Sequence, residues 1–224
     1  MKSRTEMITA YTDNVIKFFE NYIFLELPSD VDAWVAGGAL RDFFLYGCVK
    51  SGTDIDIFTT NQANYDKIVA ELLNYYDKQK ESEFAITLTH KEDDDKIVQV
   101  IKKFHETPEQ CISNFDLLCC CAFVRKAWWD GQPVDSPGLV ACAYGDYVPE
   151  FFDDNYTKTL NFLKLNENPN TTLYRIQKYI KKGYSITDEN ILTMIKCYLH
   201  SDTNFASLIS EYEGLRVEKN NNIK

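Results

Sequence analysis

The sequence predicts an α+β fold, a mixed sheet flanked by helices and followed by a small C-terminal helical segment. Three observations carry this. Apolar residues at helical spacing (Ile8, Tyr11, Val15, Phe18, Phe19, Tyr22) open the chain. Short strand-like runs then alternate with helical ones, and Asp54–Thr59 alternates polar with apolar residues as a half-buried strand does. From about Glu150 only helical patterns follow.

Taken in order, the first helix spans Ile8 to Phe24 and stops at the turn-forming Pro28-Ser29-Asp30. Ala33–Ala36 is a short strand, and Ala39–Tyr46 a helix closed by Gly47, where a left-handed residue is wanted. After the loop Lys50-Ser51-Gly52-Thr53, the strand Asp54–Thr59 turns Ile55 and Ile57 to the core and both aspartates to the other face. Asn61–Tyr76 reads as a second amphipathic helix. Phe84–His90 and Lys96–Lys102 are strands joined by the acidic tip Glu92-Asp93-Asp94-Asp95, a solvated turn. Thr107 caps a short helix with Pro108 at its first position. Ser113–Val124 is the most apolar strand, Asp116 its one charge, and Asp130-Gly131 signals a hairpin beside the packed Trp128-Trp129. The helical part comprises Tyr156–Leu165, Thr171–Lys182, Asp188–His200 and Asn204–Tyr212. Residues 1–148 thus form a mixed domain, 149–218 a helical segment and 219–224 a disordered tail.

With 224 residues the chain can bury one good core and add a small extension. Its net charge of −10 argues against a broad phosphate-binding surface, while leaving room for an RNA end on a local basic patch. No apolar run is long enough to span a membrane, and Met1-Lys2-Ser3-Arg4-Thr5-Glu6 has no signal-peptide core, so a cytoplasmic protein is expected. The seven cysteines show no C-x-x-C spacing and read as small buried side chains in a reducing compartment. His90, His105 and His200 match no metal-ligand spacing.

The chemistry concentrates at Gly37-Gly38, Arg41-Asp42 and Asp54-Ile55-Asp56. Asp54 and Asp56 share a strand face and can reach one divalent cation. Val35-Ala36-Gly37-Gly38 runs from strand to helix without a bulky side chain in the first turn. Such a helix start offers N–H groups and a partial positive charge to a phosphate. Asp116, alone in an apolar run, must face a cation or a partner, because an unpaired buried carboxylate is expensive. Three carboxylates on neighbouring strands suit Mg²⁺, or Mn²⁺, with waters and substrate phosphates as the other ligands. Arg175, Lys178 and Lys182 fall along one helical face; a merely solvated basic face is the plain alternative.

Val35-Ala36-Gly37-Gly38-Ala39-Leu40-Arg41-Asp42 followed by Asp54-Ile55-Asp56-Ile57 resembles the signature of the DNA polymerase beta-like nucleotidyltransferase superfamily. The similar branch is the head of class II tRNA CCA-adding enzymes and bacterial poly(A) polymerases. Thr172-Leu173-Tyr174-Arg175-Ile176-Gln177-Lys178-Tyr179, ending Lys182-Gly183-Tyr184, is similar to the neck helix that follows that head. The resemblance implies that Gly37, Gly38, Arg41, Asp42, Arg175 and Lys178 bind a nucleoside triphosphate and that Asp54, Asp56 and Asp116 are catalytic and hold the metal. Two family features are absent. Asn114-Phe115-Asp116-Leu117-Leu118 lacks the arginines of the family's Arg-Arg-Asp-Phe-Thr motif, and no Glu-Asp-x-x-Arg motif follows Gly183. The chain is also too short for the body and tail that measure a tRNA.

The expectation is therefore a metal-dependent nucleotidyltransferase that moves a nucleoside monophosphate from a triphosphate to a hydroxyl, an RNA 3′ end first among acceptors. The alternatives are a catalytically inactive relative that binds nucleotide or a partner protein, and a transferase acting on a protein or a small molecule.

Overall fold

The computed structural model describes residues 2–126, 148–165 and 169–200. Helix α1 (Arg4–Tyr22) starts at a reciprocal cap in which Ser3 Oγ accepts from the Glu6 N–H and Glu6 accepts from the Ser3 N–H. Strand β1 (Ala33–Ala36), buried throughout, leads through Gly37 into α2 (Gly38–Tyr46), which ends at the left-handed Gly47. Next come β2 (Ile55–Thr59), α3 (Gln62–Leu72) and three strands, β3 (Tyr76–Glu81), β4 (Ala85–His90) and β5 (Asp93–Ile101). A short α4 (Pro108–Ile112), capped by Thr107, precedes β6 (Phe123–Arg125). The remaining described elements are α5 (Val148–Thr157), β7 (Thr159–Leu160), α6 (Pro169–Lys181), β8 (Ser185–Ile186) and α7 (Asp188–His200).

Six strands form one mixed sheet in the order β3-β4-β5-β2-β1-β6. β2 and β5 are parallel and all other neighbours antiparallel. α1, α2 and the sheet close over Tyr11, Val15, Phe19, Leu40, Ile57 and Val100. A second cluster joins Leu117 and Cys119 to Ile176 and Tyr179 of α6, with Leu160, Tyr184 and Met194. At about 1.5–3 kcal/mol for each large side chain buried, this cluster packs α6 against the segment that follows α4.

The α+β architecture and most elements follow the sequence pattern, with four departures. Asp93–Asp95, expected in the acidic tip, belong to β5, and the turn is confined to Lys91-Glu92. Tyr76 opens β3 instead of closing α3. This edge strand has one apolar residue and a register slip between Lys78 and Lys80, so it carries no alternation to read. Exposed lysines and an irregular register are common on sheet edges because they discourage pairing with other chains. Ser113–Val124 is buried but mostly irregular, with one 3₁₀ turn at Leu118–Cys120 and a strand only at Phe123–Arg125; apolarity reports burial, not extension. The expected helix Tyr156–Leu165 instead ends at Thr157, because Lys158 turns the chain at φ +52° and sends Thr159–Leu160 to pair with β8. Trp128-Trp129, the Asp130-Gly131 turn, the helix Asn204–Tyr212 and the tail lie outside the described residues.

Candidate active site

Asp56 lies opposite Ala36 at the end of β1, beside the turn into α2. Gly37 occupies that turn at φ +88°, and a Cβ built there would stand 3.7 Å from Asp56 Oδ2. The conformation is one that glycine adopts readily and other residues only with strain. Gly37 serves as the N-cap of α2 without a side-chain cap, so among the described residues no side chain caps the first-turn N–H groups. Asp54, just before β2, accepts a 3.0 Å hydrogen bond from Gln99 Nε2 on β5. Burial, and then the nearby Asp54, push the Asp56 carboxyl up to about 7, while Lys178 and Arg175 pull it partway back. Two carboxylates that repel each other at a strand end, faced by two cations of α6, form the electrostatic centre of the site.

The other predicted residues are placed differently. Arg41 is 2% exposed. Its Nε donates to Asp42 Oδ1 at 2.8 Å and its Nη1 to the Tyr179 hydroxyl at 2.7 Å, and the guanidinium lies 4.9 Å from the Tyr179 ring centre. Asp42 also accepts from Thr53 Oγ1 at 2.6 Å. Where the resemblance puts Arg41 and Asp42 against a nucleotide, the structure ties them to each other and to Thr53 and Tyr179. A buried guanidinium keeps its charge only with such partners.

Asp116 is likewise held by groups of the chain itself. It leaves the irregular segment after α4, not a strand beside β2, and is 3% exposed. Arg175 Nη1 donates to it at 2.7 Å and Thr172 Oγ1 at 3.1 Å. Of the two partners open to Asp116, a cation or a protein group, it has taken Arg175. Among the described residues no group of three or more His, Cys, Asp or Glu side chains is arranged to hold a metal ion, so the three-carboxylate cluster does not form. Asp54 and Asp56 remain as a two-carboxylate set, which fits Mg²⁺ because that ion keeps several waters and substrate oxygens. A dication would also relieve the repulsion that raises Asp56.

Two residues at the site escaped the sequence pattern. Tyr179, four residues beyond Arg175 on α6, accepts from Arg41 and stands 2.6 Å from Cys120 Sγ. Arg41 donates to the Tyr179 oxygen, and across the Cys120 contact either the hydroxyl or the thiol can donate. A hydrogen bond with Cys119 and the nearby Arg41 lower the Cys120 thiol below its ordinary range. Nothing within the run Cys119-Cys120-Cys121 distinguishes the middle cysteine. Tyr179 could have been found from its helical spacing with Arg175.

Three solved structures have a similar fold. The Thermotoga maritima CCA-adding enzyme complexed with tRNA_CCA matches 80% of this chain and 39% of its own at 14% identity, with a TM-score of 0.50. A CCA-adding enzyme with CTP matches 88% and 46% at 14% identity and a TM-score of 0.55. A CCA-adding enzyme in apo form I matches 83% and 42% at 15% identity and a TM-score of 0.52. The chain thus spans less than half the length of these proteins, and at such identities the likeness establishes the nucleotidyltransferase fold. No curated protein matches the chain. A sequence profile described as Gad2, Gabija anti-defense 2 family protein, matches residues 6–135, which include Gly37, Gly38, Asp54, Asp56 and Asp116. With more than half its length inside that profile, this chain belongs to the Gabija anti-defense 2 family.

Proposed function

We propose that the protein is a metal-dependent nucleotidyltransferase that transfers a nucleoside monophosphate from a triphosphate to a hydroxyl, with an RNA 3′ end as the first candidate acceptor. The observation that carries this reading is the meeting of Asp56 with the Gly37 turn, opposite the cations of α6. Asp54 and Asp56 would hold Mg²⁺ or Mn²⁺. When bound, the ion supplies positive charge to the attacking hydroxyl and to the triphosphate.

The chain's own groups do the rest. The first-turn N–H groups of α2 donate to phosphate oxygens, and the small Gly37 and Gly38 let the backbone approach them. Arg175 and Lys178 offset the charge that gathers on departing pyrophosphate. Asp116 aims Arg175, while Arg41 and Asp42 brace the turn from behind. In this reading residues 1–148 are the head that binds triphosphate and 149–218 the neck over it. The CTP and tRNA of the two ligand-bound structures of similar fold are the substrate classes to try first. Free cysteines at 48, 111, 119, 120 and 121 suit the cytoplasm. Among the described residues no helix is long and apolar enough to cross a membrane.

The test is incubation with each labelled triphosphate, Mg²⁺ or Mn²⁺, and either total RNA or the protein alone. Label transferred to RNA, removed by RNase and lost in Asp56→Ala, supports the proposal. Nucleotide binding without transfer to any acceptor points to the inactive relative, for which the pairing of Arg41 with Asp42 and Tyr179, and of Asp116 with Arg175, is the specific observation.

A further inference from the structure

Gln99 sits opposite Asp56 on β5, the parallel neighbour of β2. On each strand the flanking residues, Ile55 and Ile57 on β2 and Val98 and Val100 on β5, are buried in the main core. Side chains alternate along a strand, so Gln99, Asp54 and Asp56 share the other face. Gln99 is half-buried there, and its Nε2 donates to Asp54 Oδ2 at 3.0 Å. Among the described residues no other side chain hydrogen-bonds either aspartate.

The chemistry of that amide has two consequences. With Oδ2 held by an N–H, Asp54 keeps its Oδ1 for a cation, and its orientation is set before the ion arrives. Groups that hydrogen-bond a metal-ligating carboxylate tune metal affinity by about 10- to 100-fold. The amide is also neutral. A glutamate at this position would bring a third negative charge to the face that carries Asp54 and Asp56, whereas Gln99 leaves the site with two. Affinity for a hard dication rises with the number of charged oxygens around it. A pair of carboxylates therefore binds the ion weakly until a triphosphate adds oxygens of its own.

We propose that Gln99 is a positioning residue of the metal site, one that orients Asp54 and, by being neutral, makes ion uptake depend on the triphosphate. The inference rests on the reading that Asp54 and Asp56 hold Mg²⁺ or Mn²⁺.

Two variants separate the two roles. Gln99→Met keeps the length of the side chain and removes the donor, while Gln99→Glu keeps the shape and adds the charge. Circular dichroism melts without metal establish that both are folded. Mn²⁺ uptake by the full chain is then followed by electron paramagnetic resonance, alone and with α,β-methylene CTP. Gln99→Met should bind Mn²⁺ about tenfold more weakly in the presence of the nucleotide. Gln99→Glu should bind Mn²⁺ alone about tenfold more tightly than the wild type, gain less from the nucleotide, and show the larger rise in melting temperature when Mn²⁺ is added. An amide that only supports the fold would shift the metal-free melts and none of these readouts. Gln99→Met within about twofold of the wild type, or Gln99→Glu no tighter than the wild type for Mn²⁺ alone, would overturn this proposal and, provided Asp56→Asn still loses the ion, leave the metal site standing. Equal Mn²⁺ uptake by the wild type and Asp56→Asn would overturn both.

Discussion

The Arg175 guanidinium donates to the Asp116 carboxylate at 2.7 Å, tying α6 to the segment that follows α4. The two ends differ in setting: Asp116 is buried, whereas the Arg175 side chain is 46% exposed. Asp116→Ala should therefore lower stability by about 1–3 kcal/mol, mostly through the buried bonds lost by Thr172 and Arg175. Coupling to Arg175→Gln in a double-mutant cycle should be only about 1 kcal/mol, because water screens the exposed partner. Urea denaturation of the four proteins measures both quantities.

The Arg41–Asp42–Thr53–Tyr179 network is fully inside the protein, and removing one charge strands the other. Asp42→Ala should cost about 3–5 kcal/mol, among the largest single losses in the head, and Asp42→Asn less. Tyr179→Phe keeps the ring under Arg41 and removes one acceptor, for a loss of about 1 kcal/mol. Shifts in the denaturation midpoint at constant slope report these values directly.

Gly37 and Gly38 should respond differently to alanine. Gly37→Ala forces a side chain to φ +88° and should cost about 1–3 kcal/mol even though the added Cβ meets nothing closer than 3.7 Å. Gly38 has no such backbone constraint, and its Cβ would meet Arg41 and Thr53 at ordinary contact distances. Gly38→Ala should fold almost normally and bind triphosphate within about twofold of the wild type, because its methyl group faces the buried Arg41 and Thr53 and not the side open to phosphate. Thermal melts paired with nucleotide titrations separate the two effects.

Asp154 gives the fold a pH dependence of definite sign. Burial pushes its carboxyl from near 3.8 up to about 7, despite hydrogen bonds from Asn161. The folded state then holds a proton that the unfolded chain releases, so the contribution is largest below pH 4 and is lost as pH rises from about 4 to 7. Asp154→Asn should flatten that part of the stability profile, by up to about 1.4 kcal/mol for each pH unit at its steepest. Chemical denaturation across this range, kept metal-free so that Asp56 contributes equally to both proteins, checks it.

The legibility of this sequence varied with the kind of signal. Helices α1, α2, α6 and α7, and strands β1, β2 and β4, announce themselves through period or caps, and Asp54, Asp56 and the double glycine through one compact motif. What the motif could not show is where long side chains turn. Arg41 is one helical turn from the glycines whether it reaches out to a ligand or inward to Tyr179, and only the packing of α6 decides. Asp116 stands out in the sequence as a buried charge in need of a partner, but the sequence leaves open whether that partner is a cation or a group such as Arg175. Edge strand β3 was invisible because its residues face water on most sides. The paired β7 and β8, two residues each, are too short to show a period.

The most direct test of the central claim, that Asp54 and Asp56 beside the Gly37–Gly38 turn hold a metal-bound triphosphate, is Mn²⁺ binding followed by electron paramagnetic resonance, with and without a non-hydrolysable triphosphate. The account predicts Mn²⁺ uptake that tightens with the nucleotide, is lost in Asp56→Asn, and keeps its metal affinity but loses the nucleotide enhancement in Arg175→Ala with Lys178→Ala. Equal Mn²⁺ uptake by the wild type and Asp56→Asn, or a nucleotide that binds without regard to the metal, would contradict it.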